Sequence, residues 1–166
     1  MKLVAQLAIQ GDYGQVRQLA TEELVKAKDE GGRTVLMLAA DTDFMTPPQF
    51  GKCIEYFMHL GADPSAADTL GDTAAHLAAR RDHLRLLALL PFEAKWQRNG
   101  DDFTPLMDAA QAGSWKCAKH LLHLLRQWRY KEKRLELLGM KSRLGRTALD
   151  LARDSGHSEL VSIIEQ

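Results

Sequence analysis

The sequence has few of the features that mark a membrane protein, a secreted protein or a nucleic-acid binder. Its 166 residues contain 22 Lys and Arg against 22 Asp and Glu, so no bulk charge draws the chain toward nucleic acid or an anionic membrane. No apolar run approaches the ~18 residues that a membrane-spanning helix needs. The first residues lack a small-residue cleavage site, which predicts no secretory signal. We therefore expect a cytoplasmic protein that does not contact membranes.

Residues with chemical reactivity are also scarce or isolated. The two cysteines, Cys53 and Cys117, form no CxxC motif, which predicts two separate buried thiols and neither a disulfide nor a nucleophile. His120 and His123 are spaced like two ligands on one helix, but the sequence offers no third ligand at a suitable spacing. There is no G-x-S-x-G motif and no glycine-rich phosphate loop. We predict a protein that is not an enzyme, with no cofactor and no metal.

What the sequence does contain is a short motif that recurs along the chain. It consists of a polar turn, a threonine and an alanine-rich apolar stretch, as in DTLGDTAAHLAA at 68–79. Because threonine is a favoured N-cap residue, each threonine is predicted to begin a helix. The four threonines are Thr34, Thr73, Thr104 and Thr147, and the intervals between them are 39, 31 and 43 residues. The repeats are therefore irregular in length.

These stretches resemble the ankyrin repeat, a unit of about 33 residues with a T-P-L-H-x-A core. The resemblance implies an all-α solenoid of helix-turn-helix units with short β-turn-like fingers, forming a single domain over residues 1–166. The repeats are expected at approximately 1–28, 29–67, 68–98, 99–141 and 142–166. His76, His83 and His157 occupy positions where the family pattern itself places histidine. For these three we favour a structural role over a catalytic one.

Three departures from a regular array are expected to have structural consequences. The Pro47-Pro48 pair cannot lie inside a helix, which predicts an inserted loop at 41–51. No helix breaker occurs within 114–138, which predicts an extended helical region, either one long helix or two helices that meet near Tyr130. Trp96 lies near a repeat junction, where it either packs beneath the shortened third repeat or serves as an exposed anchor for a partner.

The resemblance also implies a function, because ankyrin proteins usually bind other proteins with a concave face. That face is made of the finger tips and the outer side of each first helix. The predicted partner-binding residues at the matching positions are Arg33, Asp41, Leu70, Asp72, Arg80, Arg81, Asp101, Phe103, Gln111, Arg143, Leu144 and Arg146. The arginines favour a protein partner with an acidic patch. A phenylalanine at a finger tip contributes little to folding, so Phe103 is a candidate contact residue.

Small and irregular ankyrin proteins of this kind resemble bacterial ones. In that group, one role is to block a toxin or effector as an immunity protein or inhibitor. The resemblance then implies inhibition by steric occlusion of an active site.

The alternative function is that of a regulator, which would contact nucleic acid or an acidic partner through the basic segment at 126–146. This segment holds eight basic residues against two acidic ones and includes Trp128 and Tyr130. Such a stripe could contact nucleic acid, although a solvated helix face, or one that steers an acidic protein, is the more common explanation. No specific nucleic-acid motif accompanies it, so we expect nucleic acid not to be the partner.

Overall fold

The computed structural model describes residues 1–41, 47–126 and 131–165, together with their side chains except those of 131–133. The α-helices are α1 (Lys2–Gln10), α2 (Tyr13–Leu19), α3 (Glu22–Lys26), α4 (Val35–Ala40), α5 (Phe50–His59), α6 (Ala74–Arg80), α7 (Leu84–Leu89), α8 (Pro105–Ala112), α9 (Trp115–Arg126), α10 (Lys131–Gly139), α11 (Ala148–Asp154) and α12 (Ser158–Glu165), with a 3₁₀ turn at Glu93–Trp96. No residue of the described ranges lies in a β-strand. No described helix has the length and apolar character needed to span a bilayer.

The repeated threonines begin helices, as predicted. The hydroxyl groups of Thr34, Thr104 and Thr147 each accept a hydrogen bond from the backbone amide three residues later. Each bond satisfies one of the free N–H groups in the first turn of a helix. At Thr73 the hydroxyl instead lies 2.9 Å from Nδ1 of His76.

The helices form two layers that run the length of the molecule. In one layer α1, α4, α6, α8 and α11 contact one another in succession. In the other layer α2, α5, α7, α9 and α12 do the same. Buried alanines such as Ala39, Ala78 and Ala109 line the first layer, and their small side chains let neighbouring helices approach closely. This is the all-α solenoid that the sequence predicts.

The fingers between repeats share one construction. Each is closed at its base by a polar residue whose side chain accepts a hydrogen bond from a backbone amide within the turn; these residues are Asp29, Asp68, Asn99 and Ser142. Neighbouring fingers are joined by single backbone hydrogen bonds from Thr69 to Gly31, from Gly100 to Leu70, and from Arg143 to Asp101, at 2.9–3.0 Å. The finger tips therefore form a continuous edge along one side of the solenoid.

The proline-containing segment is shorter than the predicted loop. Helix α5 begins at Phe50, so residues 50 and 51 of the predicted 41–51 loop are helical. The physical reason is that the Phe50 side chain is fully buried in the core. Residues 42–46 lie outside the described residues. The Pro47 and Pro48 carbonyls accept hydrogen bonds from Arg85, which ties this end of the segment to α7.

The extended region contains two described helices, α9 and α10, and these pack against each other. Residues 127–130, including the predicted junction near Tyr130, lie outside the described residues. Trp96 is buried, and its ring centroid lies 5.5 Å from that of Phe92. Of its two predicted roles, Trp96 therefore has the packing role beneath the short third repeat.

Candidate functional site

The predicted partner-binding residues lie on the fingers and at or just after the C-terminal ends of the first-layer helices. We call this surface the concave face. Many of its charged residues form ion pairs with other residues of the chain, which the sequence alone does not reveal. The arginines pair with aspartates of the same face, across neighbouring repeats as well as within them.

The first charged group joins the second and third repeats. Arg33 contacts Asp29 at the base of its own finger, with Nε 3.2 Å from Oδ2. Its Nη1 also lies 3.5 Å from Oδ2 of Asp41, and Arg81 reaches the other oxygen of Asp41 at 3.0 Å. All three pairs are partly open to solvent, where an isolated pair contributes about 0–1 kcal/mol.

The central charged group is different because its carboxylates are buried. Asp72 and Asp108 have side chains only 3% and 4% exposed, and both contact the guanidinium of Arg80. Arg80 donates from Nε and Nη2 to Oδ1 of Asp108, and from Nη2 to Oδ2 of Asp72, at 3.0–3.1 Å. Asn99 donates to the remaining oxygen of Asp72 at 2.7 Å. Oδ2 of Asp108 is buried, and no atom of the described residues forms a hydrogen bond with it.

In this arrangement the buried negative charge of Asp108 is only partly balanced, because Asp108 shares Arg80 with Asp72. The pKa of Asp108 is raised to about 7, mainly by burial and to a smaller extent by the Asp72 carboxylate, although the adjacent Arg80 opposes both effects. Burial lowers the pKa of Arg80, but the same two carboxylates outweigh this effect and raise it overall. Two buried carboxylates thus share one guanidinium, and removing this cation would leave both of them uncompensated.

The last charged group lies on the C-terminal fingers and is exposed. Arg143 pairs with Asp101 at 3.6 Å, and Arg146 pairs with Asp154 at 3.4 Å. Arg143 also donates to the Gly100 carbonyl. The contacts of Arg143 cross to the preceding repeat, that of Arg146 lies within its own repeat, and all of them remain in solvent.

The uncharged members of the predicted site differ in exposure. Leu70 and Leu144 are 70% and 86% exposed on their finger tips. Phe103, in contrast, is only partly exposed and packs against the core, so it contributes to folding more than its tip position suggests. Gln111 is exposed, and its backbone carbonyl accepts a hydrogen bond from Nε2 of His157.

Two depressions lie on the concave face. The central pocket has a volume of about 430 Å³ and is lined by Phe103 and Leu144, by Arg80 and Asp108, and by the exposed Asp101 and Arg143. A second depression of about 310 Å³ lies near the N-terminus, between α1 and α4, and is lined by residues that include Ile9, Leu38 and Asp41. The central pocket therefore joins apolar finger tips to the buried carboxylate of Asp108.

The group Asp72, His76 and Asp108 has ligand-type atoms within 4.8 Å of one another, but its chemistry does not fit a metal. Nδ1 of His76 accepts from the Thr73 amide at 3.2 Å, so Nε2 carries the proton and donates to the Phe103 carbonyl at 2.9 Å. Both ring nitrogens are therefore occupied, and Arg80 already bridges the two carboxylates. The three residues form a structural network between the third and fourth repeats.

Sequence reasoning missed Asp108, although the sequence carries a signal for it. Four residues after each helix-opening threonine, the repeats have Leu38, Leu77, Asp108 and Leu151. Asp108 is thus a carboxylate at a position where the other three repeats have leucine. The side chain of Asp72, a predicted contact residue, is buried and accepts a hydrogen bond from Arg80.

The basic segment also uses part of its charge internally. Arg126 donates to the Ile163 carbonyl at 2.9 Å, and Arg143 and Arg146 form the pairs given above. Trp128 and Tyr130 lie outside the described residues, as do the side chains of Lys131 and Lys133. The two cysteines are buried and free, as predicted, and burial raises the pKa of Cys53 to about 11 and that of Cys117 further.

The buried ionisable groups predict opposing effects of pH on stability. Burial lowers the pKa of His76, His83 and His120, so below their ordinary value of about 6.5 the unfolded chain binds protons that the folded chain does not. This destabilises the fold as pH falls from 7 toward 5. Asp108 acts in the opposite direction, because its raised pKa means that the folded chain takes up a proton in this range while the unfolded chain does not.

We therefore expect Asp108 to offset part of the stability that the histidines lose between pH 7 and pH 5. The Asp108→Asn variant lacks this opposing contribution, so its urea midpoint should fall more on acidification than that of the wild type. Urea titrations of both proteins at the two pH values check this. A midpoint of Asp108→Asn that stays constant, or that rises as pH falls, would contradict the assignment.

Comparison with known proteins agrees with the geometry. The family described as ankyrin repeats (3 copies) matches residues 48–133. The chain is 33% identical over 122 residues to inversin from Canis lupus familiaris and 31% identical over 122 residues to inversin from Homo sapiens, in each case covering 71% of this chain and 11% of the relative. It is 33% identical over 119 residues to inversin from Gallus gallus, covering 69% of this chain and 10% of the relative. The chain thus spans about a tenth of the length of these relatives.

The repeated threonine-led helices, the joined fingers and the family match all describe one architecture. Repeats of this type are generally non-catalytic scaffolds for protein–protein interaction, and they stack to create an extended concave surface. The match extends over slightly more than half of the residues, and we conclude that this chain belongs to the ankyrin-repeat family.

Proposed function

We propose that this protein binds another protein through its concave face. The observation that carries the proposal is the exposure of Leu70 and Leu144, two leucines at finger tips where the fold gains almost nothing from an apolar side chain. Exposed apolar residues among polar groups can mark interaction sites. Leu144 also lines the central pocket, which offers a partner a depression to fill.

The arginines of this face divide into two classes by the contacts that they already make. Arg143 and Arg146 form exposed pairs, which contribute only about 0–1 kcal/mol each, so they can exchange their aspartates for carboxylates of a partner at little cost. Arg80 binds two buried carboxylates and is needed where it is. An acidic patch on the partner would therefore contact the C-terminal fingers, while Arg80 supports the pocket from below.

The biological role we propose for such binding is inhibition by occlusion. A rigid solenoid whose finger edge and pocket fit against a partner covers that surface and blocks access to it, with no chemistry of its own. An immunity protein or an inhibitor of a toxin or effector acts in this way. The exposed leucines and exchangeable arginines are the residues that support this role here.

A capture experiment with matched variants tests the proposal. Tagged wild-type protein is compared with a double variant, Leu70→Ser and Leu144→Ser, in lysate of the source cells. Both side chains are exposed, so the fold should change by no more than about 0.5 kcal/mol. The control is Leu135→Ser, the same substitution at a leucine of α10 that is 77% exposed.

The expected result is one stoichiometric protein that the wild type and the Leu135→Ser variant retain and the finger double variant loses. Loss with Leu135→Ser alone would place the contact on the basic segment instead. Recovery of nucleic acid that dissociates steeply as salt is raised would replace the proposal with the alternative function.

A further inference from the structure

We propose that the central pocket binds a lysine side chain of the partner, with the ammonium group beside Asp108 and the methylene stem between Phe103 and Leu144. This inference rests on the proposed function, because it names the group that a protein partner would insert. It follows from the charges in the pocket, the free oxygen of Asp108 and the apolar walls, which are considered in turn.

The charges of the pocket leave one negative charge uncompensated. Asp72 and Asp108 contact a single guanidinium, that of Arg80. His76 adds no charge, because burial lowers its pKa and both ring nitrogens are used as in a neutral imidazole. At the pocket entrance Asp101 and Arg143 pair and cancel each other. The residues that line or support the pocket therefore carry a formal net charge of −1.

The free acceptor lies at the same place as the excess charge. Oδ2 of Asp108 has no hydrogen-bond partner within the described part of the chain, and its side chain is 4% exposed. A buried carboxylate in this condition is stabilised either by a proton or by a cation with donors of its own. A pKa raised to about 7 favours the first of these outcomes in the protein alone as pH falls. A cation from a partner would supply the second.

Lysine fits this position better than arginine. A guanidinium prefers two acceptors in a plane, whereas an ammonium is a compact charge that one oxygen can orient. Arg80 already occupies Oδ1, so Asp108 offers one oxygen and not two. Phe103 and Leu144 line the pocket with apolar surface, and a lysine buries its methylene stem against such surface while the charged end binds.

The test uses small probes and needs no knowledge of the partner. Nα-acetyl-lysine methylamide is titrated into ¹⁵N-labelled protein at pH 8, and the amide shifts of residues 99–111 are followed. The matched probe is the same molecule acetylated at Nε, which keeps the stem and removes the charge. We expect saturable shifts at the pocket for the lysine probe and at least ~tenfold weaker binding of the acetylated probe, as befits a charge-assisted hydrogen bond.

Acidification provides a second arm. The lysine probe stays charged between pH 8 and pH 6, whereas Asp108, with Arg80, Asp72, His76, Asp101 and Arg143 around it, changes from mostly ionised to mostly protonated. Since only the ionised form of Asp108 binds the ammonium group, the dissociation constant of the lysine probe should rise roughly tenfold from pH 8 to pH 6. Asp108→Asn should bind weakly at both values, and Glu159→Gln, at an exposed carboxylate on α12, should behave as wild type.

Equal affinity for the two probes, or no shift at the pocket at either pH, would overturn the inference. Tighter binding of methylguanidinium than of methylammonium would also overturn the choice of lysine. If Asp108→Asn proves unfolded by circular dichroism, the comparison of the two probes on the wild type decides the matter alone. The pocket can fail this test while the finger variants still lose their partner, so the two proposals fail separately.

Discussion

Replacing Arg80 by alanine is expected to lower the free energy of unfolding by about 3 kcal/mol, as is usual when one partner of a buried ion pair is removed. The substitution leaves Asp72 and Asp108 buried without their shared cation. It also removes the bridge between α6 and α8, two neighbouring helices of the first layer. Asp108 can relieve part of the cost by taking up a proton, so the loss should be larger at pH 8 than at pH 6.

Urea denaturation of two further variants separates this effect from the loss of any arginine. Arg146→Ala breaks an exposed pair with Asp154 and should cost no more than about 1 kcal/mol. In an Asp108→Asn background, Arg80→Ala should cost at least about 1 kcal/mol less than in the wild type, because the two residues interact directly. If Arg80→Ala and Arg146→Ala destabilised the fold equally, the buried network would not have the role assigned to it.

The second large effect is expected at Gly71, where two fingers meet. Its φ is +81°, and a Cβ atom there would lie 2.5 Å from the backbone nitrogen of Gly100. Gly71→Ala combines the strain of a left-handed backbone with a clash between backbones, and we expect it to cost about 3 kcal/mol. The clash lies beside the hydrogen bond from Gly100 to Leu70, so the edge of joined fingers should open at this point.

Gly145 provides the matched control for Gly71. It occupies the same position in the last finger with φ +75°, but a Cβ atom there would have no neighbour within 4 Å. Gly145→Ala should therefore cost only the backbone strain, about 1 kcal/mol. Thermal or urea unfolding of both variants gives the comparison. Equal losses would show that the fingers do not depend on close approach at Gly71.

Much of the fold could be predicted from the sequence because its signals are local. A threonine begins a helix through a bond to an amide three residues away, and His76 follows Thr73 at this same distance. The repeat spacing then orders these helices along the chain. The start of α5 could not be predicted to the residue, because the burial of Phe50 depends on tertiary packing that the nearby prolines conceal.

The site was predicted as a surface but not as a network. Its finger and helix-end positions follow from the repeat register, and Leu70 and Leu144 are exposed there, as expected for tips. The pairing of Arg80 with Asp108 spans 28 residues and that of Arg81 with Asp41 spans 40, distances at which sequence gives no partner. Asp108 stands out when the residues four positions after each helix-opening threonine are compared, because the other three are leucines.

The most direct test of concave-face binding is hydrogen–deuterium exchange of the purified protein with and without its captured partner. The account predicts that protection appears in peptides covering the fingers at 68–72, 99–103 and 142–146, while peptides of α9 and α10 exchange as in the free protein. Protection confined to 115–139, with the fingers unchanged, would contradict the account and assign the interface to the basic segment.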